Sequence, residues 1–307
     1  MTLIEKISLD LNLDKLYLAR IISRSGFYYK DFIIPKKNGG FRRISQPSAE
    51  LKTLQYWITK NILCKIPISK AACAYKKGDS IKKHALLHCK SRHILHTDIK
   101  DFFESVDSSK LIKILEKNHS VFEDINLDYN SSIDDIRKIC FRKNKLCIGS
   151  VSSPIISNIV MYDFDNALTG YCKENGLIYS RYADDIYVSS DKFINHDILE
   201  FISNELNKCG LSINRSKTRF YSSKYKRSVT GIVITNDSHI SVGTKRRTMI
   251  KNMIYNKLVN SEGDSNEILG YLSFLKDIEP DTYQRYLIKY SKFCTTDVLT
   301  ALSDKNT

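Results

Sequence analysis

Proline and glycine are scarce, five and twelve in 307 residues, and neither recurs at a fixed period. That excludes a collagen-like or low-complexity chain and leaves no Gly/Ser- or Pro-rich linker between domains. Paired cysteines are missing too. The eight cysteines, at 64, 73, 89, 140, 147, 172, 209 and 294, contain no C-x-x-C. They read as reduced, mostly buried thiols of a cytoplasmic protein, not as a disulfide framework or a cysteine zinc site. No apolar run reaches the roughly 18 residues of a membrane span. Met1–Asp10 alternates charged and apolar residues, unlike a signal peptide. Acids are the minority charge, 34 against 48 Lys and Arg, a net of +14. Such an excess suits a polyanionic partner, nucleic acid or an anionic membrane surface. With 42% hydrophobic and 27% charged residues a core can form, which excludes global disorder.

What is present reads as one continuous α+β unit. Leu3, Ile4, Ile7, Leu11, Leu16, Leu18, Ile21 and Ile22 recur at helical spacing. Tyr28–Pro35 and Phe41–Ser45 are β-like around the basic turn at 36–40, a hairpin pattern. Helices are expected over Ala49–Leu63, Asp107–Asn118, Ser153–Tyr171 and Asn195–Lys208, and from Lys245 onward. Short strands are expected at His93–Thr97, Val229–Ile234 and Ile240–Val242. A second hairpin is expected over Leu177–Ser190. Residues 119–136 hold five acids and no Lys or Arg, which reads as a solvated surface insertion. The positive charge is concentrated. Residues 215–257 carry eleven Lys and Arg and one acid, Asp237, leaving only +4 for the rest of the chain. A track of phosphate contacts needs such a concentration, and Tyr221, Tyr225 and Tyr255 interleave with the cations as possible stacking platforms.

The chemistry-bearing candidates are carboxylates. Asp184 and Asp185 sit between two β-like runs, and Asp98 follows the apolar strand His93–Thr97. An Asp-Asp pair in a turn is by itself ordinary turn chemistry. A third carboxylate at a strand end adds what hard cations require, because Mg²⁺ takes oxygen ligands and keeps places for phosphate oxygens. Two such ions, roughly 4 Å apart, activate an attacking hydroxyl and stabilise a leaving pyrophosphate. Two other chemistries have less behind them. His84 and His88 at i, i+4, followed by His93 and His96, could form a zinc site, but no acid or cysteine completes a familiar set. A serine hydrolase would need a G-x-S-x-G elbow, and none occurs.

The chain resembles the reverse transcriptases, and within them the bacterial retron type, over roughly residues 25–290. Ile34–Lys37, Gly40–Arg42 and Gln46-Pro47 resemble the first fingers block, and Leu51–Gln55 with Ile62-Leu63 the second. Asp98–Phe103 is similar to the first catalytic block. Gly149–Asn158, GSVSSPIISN, resembles the template- and nucleotide-side block. Arg181–Asp185, RYADD, resembles the catalytic turn. Gly210–Asn214 with Lys217-Thr218 resembles the lysine block. Val229-Thr230-Gly231 resembles the retron VTG signature, and His84–His88 the NAxxH element with His in place of Asn. Most reverse transcriptases carry Gln where this chain has Ile148 before Gly149.

The resemblance implies a right-hand polymerase with an antiparallel-sheet palm and a short helical thumb. Its implied parts are fingers over 1–90, palm over 91–238 and a basic thumb over 239–307. It implies that Asp98, Asp184 and Asp185, with the Ile99 carbonyl, hold two Mg²⁺ ions. Arg42 and Lys36 or Lys37 would hold the triphosphate of a dNTP near Gly149, with Lys217 beside the leaving phosphate. Phe103, five residues after Asp98, would block a ribose 2′-hydroxyl, and Tyr182 would lie beside the primer end. Ser152, Ser153 and Asn158 would cap and shape the helix start near the nucleotide. His88, Val229, Thr230, Gly231, Lys245, Arg246 and Arg247 would bind RNA. The implied reaction is RNA-templated DNA synthesis. The implied partner is a structured msr–msd type non-coding RNA, and the product is branched RNA-linked DNA primed from a guanosine 2′-hydroxyl. The implied setting is anti-phage defence with a separately encoded effector. Rival readings are a defence reverse transcriptase of another lineage, protein-primed or untemplated, and a non-catalytic RNA-binding scaffold.

Overall fold

The computed structural model describes residues 1–36 and 39–303. Among these residues nine strands form three sheets. β1 (Tyr29–Pro35) and β2 (Phe41–Pro47) pair antiparallel from Tyr29↔Pro47 to Pro35↔Phe41. β3 (His93–Asp98), β4 (Ile178–Tyr182), β5 (Asp185–Ser190) and β6 (Arg219–Tyr221) form one sheet in the order β4-β5-β3-β6. β7 (Arg227–Val229), β8 (Ile232–Ile234) and β9 (Ile240–Ser241) form a three-stranded sheet. The expected β1–β2 ribbon and the hairpin around residue 184 are both present.

The chain divides into two compact units. The first comprises Met1–Lys77, His96–Ile186 and Asn195–Arg219; the second comprises Gly78–Leu95, Tyr187–Ile194 and the described residues from Phe220 onward. In the first unit, helix starts follow elementary capping chemistry. Thr2 and Glu5 form a reciprocal capping box, and the Ser48, Asp107 and Asp128 side chains accept from backbone N–H groups of the helices they open. The second unit buries Val229, Ile232 and Ile234 with Ile250, Ile254, Leu272, Leu275, Tyr283 and Tyr286 in one cluster. Its helices Thr244–Asn260, Ser265–Ile278 and Pro280–Ser291 supply nine of the nineteen buried residues of that cluster.

Three expectations change. Residues 119–136 are not a solvated insertion: Ser120–Glu123 and Tyr129–Cys140 are helices, and Ser132, Ile136, Ile139 and Cys140 are buried. Glu123, Asp124, Asp128 and Asp134 are exposed and Asp135 is half-buried, and Asp134 pairs with Arg137 and Lys138. The helix expected over Ser153–Tyr171 breaks at Met161, giving Ser153–Val160 and Tyr162–Glu174. Val229–Ile234 is not one strand. Thr230 and Gly231 both have positive φ, 47° and 80°, and form a two-residue turn between β7 and β8.

Candidate active site

Asp98 ends β3, where it is 5% exposed. Its Oδ2 accepts from Lys217 Nζ at 2.8 Å, its Oδ1 from Asn214 Nδ2 at 3.1 Å, and its backbone carbonyl from Asn214 N at 2.7 Å. The neighbouring Ile99 N donates to the Asp184 carbonyl at 3.0 Å, so the strand end and the Asp184 turn are joined through backbone. That turn needs Ala183 at a φ of 57°, the left-handed region. Asp185 Oδ1 lies 2.8 Å from His96 Nε2.

Electrostatically, these groups form one set. Burial, then the charge of Asp185, then that of Asp98, push the Asp184 carboxyl up to about 6, while Lys217 opposes the rise. The hydrogen bond to Asp98 raises the Lys217 ammonium, reinforced by the charges of all three acids. Among the described residues no three His, Cys, Asp or Glu side chains converge on one point. Instead Lys217 and His96 each hold one carboxylate. Asp98 at the strand end and Asp184 and Asp185 at the turn are thus coupled by charge, with Lys217 as the cation that bonds one of them, and added positive charge beside them would relieve the repulsion on Asp184.

Below the turn is a buried ion pair that sequence reasoning missed. Arg181 and Asp165 are both 0% exposed. Arg181 Nε and Nη2 bond the two Asp165 oxygens at 2.8 and 2.7 Å, Nη1 bonds the Ala183 carbonyl at 2.8 Å, and Tyr179 Oη donates to Asp165 at 2.6 Å. Arg181 therefore holds the carbonyl just before Asp184. The only sequence signal was an acid facing the apolar stripe of Phe164, Leu168 and Cys172, all buried.

A short segment adds to the edge of β4. Ala72 bridges Arg181 in parallel, Cys73 N donates to the Arg181 carbonyl at 2.7 Å, and Asn158 Nδ2 donates to the Ala74 carbonyl at 2.9 Å. The parallel register brings Tyr75 level with the Asp184 turn. Tyr75 is 49% exposed at a φ of 65°, and burial of its hydroxyl end, then Asp184 and Tyr182, oppose loss of its proton. An aromatic residue held in the left-handed region beside carboxylates was not anticipated. Asn158 was expected to shape a helix start and instead ties this segment down. Ser152 gives no side-chain cap, and Ser153 donates to the Cys147 carbonyl at 2.9 Å.

The remaining candidates are placed as follows. Arg42 and Lys36 are exposed on or beside the β1–β2 ribbon, with Ile34 opposite Arg42. Lys37 lies outside the described residues. Phe103 is half-buried, its ring 5.5 Å from that of the buried Phe102. Gly149, at a φ of 107°, faces β2 so closely that a Cβ would stand 2.9 Å from the Ser45 carbonyl oxygen, and Ser45 N donates to the Ile148 carbonyl at 2.8 Å. Tyr182 is half-buried at the end of β4.

In the second unit the two signature elements meet. His88 is fully buried, its Nδ1 is 2.7 Å from Ser189 Oγ, and burial pushes its imidazole down to about 3, so it is neutral. His84 Nδ1 lies 3.4 Å from Thr230 Oγ1, and Thr230 N donates to Tyr187 Oη at 3.1 Å. Val229 is fully buried. Of the three consecutive cations, Arg247 Nε bonds Glu279 Oε2 at 2.8 Å and Arg246 Nη1 bonds the Gly231 carbonyl at 3.2 Å, while Lys245 is exposed. Tyr225 and Tyr255 are exposed, whereas Tyr221 packs against the hydrophobic cluster. No helix among the described residues is long and apolar enough to cross a membrane.

Comparison with known proteins gives the family and the fold. A family model described as reverse transcriptase (RNA-dependent DNA polymerase) matches residues 34–250. Retron Ec83 reverse transcriptase of Escherichia coli is 32% identical over 289 residues, covering 88% of this chain and 89% of its own. Retron Ec73 reverse transcriptase, also of Escherichia coli, is 33% identical over 287 residues, covering 89% and 90%. Among solved structures, apo telomerase from Candida tropicalis superposes with a TM-score of 0.53 at 14% identity, over 89% of this chain and 60% of that one. A foamy viral protease–reverse transcriptase in complex with double-stranded DNA gives 0.50 at 15% identity, over 89% of this chain and 43% of that one. At those identities the likeness is one of fold, the mixed helix and antiparallel-sheet architecture of a right-hand polymerase.

Proposed function

We propose a function from the premise that the chain belongs to the reverse transcriptases, RNA-directed DNA polymerases, and within them to the retron type: it copies its own structured msr–msd type RNA into RNA-linked single-stranded DNA. Synthesis starts from a guanosine 2′-hydroxyl, and the hybrid serves an anti-phage system with a separately encoded effector. The observation that carries the catalytic part is the coupled set Asp98, Asp184 and Asp185 on a backbone-braced strand end and turn. The fingers are assigned to 1–90, the palm to 91–238 and the thumb to 239–307.

In the reaction the primer hydroxyl oxygen bonds to the α-phosphorus of a dNTP and the bond to the β-phosphate oxygen breaks, releasing pyrophosphate. Asp98, Asp184 and Asp185, with the Ile99 carbonyl, would hold two Mg²⁺ ions, which supply hydroxyl activation and neutralisation of phosphate charge. Lys217, 2.8 Å from Asp98, would turn from that carboxylate to the leaving phosphate and give it a proton. Arg42 and Lys36 bring positive charge to the triphosphate, and Tyr182 borders the primer end. Gly149 acts by letting its loop lie against β2, which seats the nucleotide-side helix.

Phe103 excludes a ribose 2′-hydroxyl by volume. Phe103→Ala is expected to raise ribonucleotide incorporation relative to dNTP by about tenfold or more, since one lost steric exclusion is worth about 1–3 kcal/mol. Competition assays with paired rNTP and dNTP read this out, and unchanged sugar selection would remove Phe103 from the role.

The test of the whole reading is to express the gene with its flanking DNA and extract nucleic acid from the purified protein. DNA that is joined to RNA and shortened by a debranching nuclease is the expected result. DNA attached to protein, or lacking any RNA link, would favour a defence enzyme of another lineage.

A further inference from the structure

We propose that the second unit carries a pocket for a single unpaired nucleotide of the structured RNA, set beside the β7–β8 turn; this rests on the RNA partner proposed above. The pocket has a volume of about 430 Å³ and is lined by Lys226, Ser228, Gly231, Val233, Lys245 and Arg246, with Val242, Gly243, Met249 and Tyr271 completing it. That volume lies within the roughly 300–1,000 Å³ of ligand-sized sites.

Its chemistry is divided in the way a nucleotide is. Three cations line it and no acid does. Lys226 and Lys245 are exposed, and no ion pair among the described residues occupies either. Arg246 is oriented twice over, by its bond to the Gly231 carbonyl and by the Phe274 ring 5.1 Å from its guanidinium carbon. A rigid arginine flanked by free lysines is a phosphate site. Val233, Val242, Met249 and Tyr271 offer an apolar wall to a base or sugar.

The pocket also depends on two glycines. A Cβ at Gly243 would stand 2.9 Å from Val233 Cγ2, so only glycine lets the start of the Thr244–Asn260 helix come this close to β8. A Cβ at Gly231 would meet nothing within 4 Å, so glycine keeps that side open. Thr230, at a φ of 47° a strained position for a β-branched residue, is held by Tyr187 and His84. The VTG and AxxH elements thus act together: the buried residues Val229, His84 and His88 fix the turn, and the turn presents Gly231 to the pocket. Arg247 is not part of it. Its bond to the buried Glu279, which also accepts from Ser241 Oγ and Val242 N, makes it a structural cation.

The experiment measures binding of the transcript encoded beside the gene, and of a generic primed RNA, to the full chain across a salt series. Three variants are compared. Lys226→Ala/Lys245→Ala removes two free cations. Met249→Trp fills the pocket without changing charge. Lys224→Ala/Lys257→Ala removes two cations of the same basic stretch that do not line it. The pocket double variant is expected to lose about tenfold in affinity for the transcript and to flatten the log–log salt slope by about one to two units. Met249→Trp is expected to lose affinity for the transcript with its slope kept and its unfolding midpoint unchanged. If the control double variant loses as much as the pocket double variant, or Met249→Trp binds the transcript as the parent does, the pocket assignment is overturned. So it is if nucleoside monophosphates bind the pocket while transcript binding is indifferent to all three variants, which would make the ligand a free nucleotide. A parent chain that binds the transcript no better than the generic RNA would instead defeat the underlying reading of the RNA partner.

Discussion

Asp184→Asn is expected to reduce DNA synthesis by at least about 1,000-fold, roughly 4 kcal/mol of transition-state stabilisation, while leaving the fold and RNA binding intact. The reason is the electrostatic state of the turn. Burial and two neighbouring carboxylates already push Asp184 up to about 6, so its charge is costly to the folded protein, and the proposed function gives that charge its use in binding cations. Replacing it with an isosteric amide removes that repulsion. The variant's unfolding midpoint, measured in a chelating buffer at neutral pH, should therefore be no lower than the parent's. A large loss of activity together with undiminished stability distinguishes a metal-holding carboxylate from a structural one. Primer extension at near-parental rate would defeat the assignment, and a collapsed midpoint would show that Asp184 acts through the fold.

The largest expected effect on stability is at Asp165. Both partners of the Asp165–Arg181 pair are fully buried and bidentate. Asp165→Ala leaves an uncompensated guanidinium in the interior and removes the acceptor of Tyr179. A loss of about 3–5 kcal/mol is expected, seen as an unfolding midpoint lower by roughly 10 °C. The double variant Asp165→Leu/Arg181→Met should regain much of that stability, because neither charge remains to be desolvated. It should not regain full activity, since the Ala183 carbonyl loses its bond from Arg181 and the turn bearing Asp184 is no longer held from below. An unchanged midpoint for Asp165→Ala, or a double variant as active as the parent, would show that the pair does not set the turn.

Local pattern made much of the first unit legible. Period-two runs with turn residues between them marked β1–β2 and the β4–β5 hairpin, and a strand running into an acid marked Asp98. Where the pattern misled, a competing local effect was at work. The acids at 119–136 concealed an amphipathic helix because its buried face, Ser132, Ile136, Ile139 and Cys140, is spaced by three and four among polar neighbours. The apolar run at 229–234 concealed a turn because Thr230 and Gly231 supply its two positive φ values between buried flanks.

The sequence by itself determined which residues could do the chemistry: three carboxylates in strand-end and turn contexts, a concentrated basic stretch, and motif blocks in a fixed order. These are properties of residue type and short spacing, and they survive without a fold. Only the tertiary structure decided who holds whom. Lys217 reaches Asp98 across 119 positions, His96 reaches Asp185 across 89, and Arg181 reaches Asp165 across 16. It also divided the Lys245-Arg246-Arg247 run into a free cation, one oriented by Gly231, and one taken up by Glu279. Burial and distance set the strength of a charge interaction, and both arise only when segments distant in sequence are brought together in a medium of low dielectric.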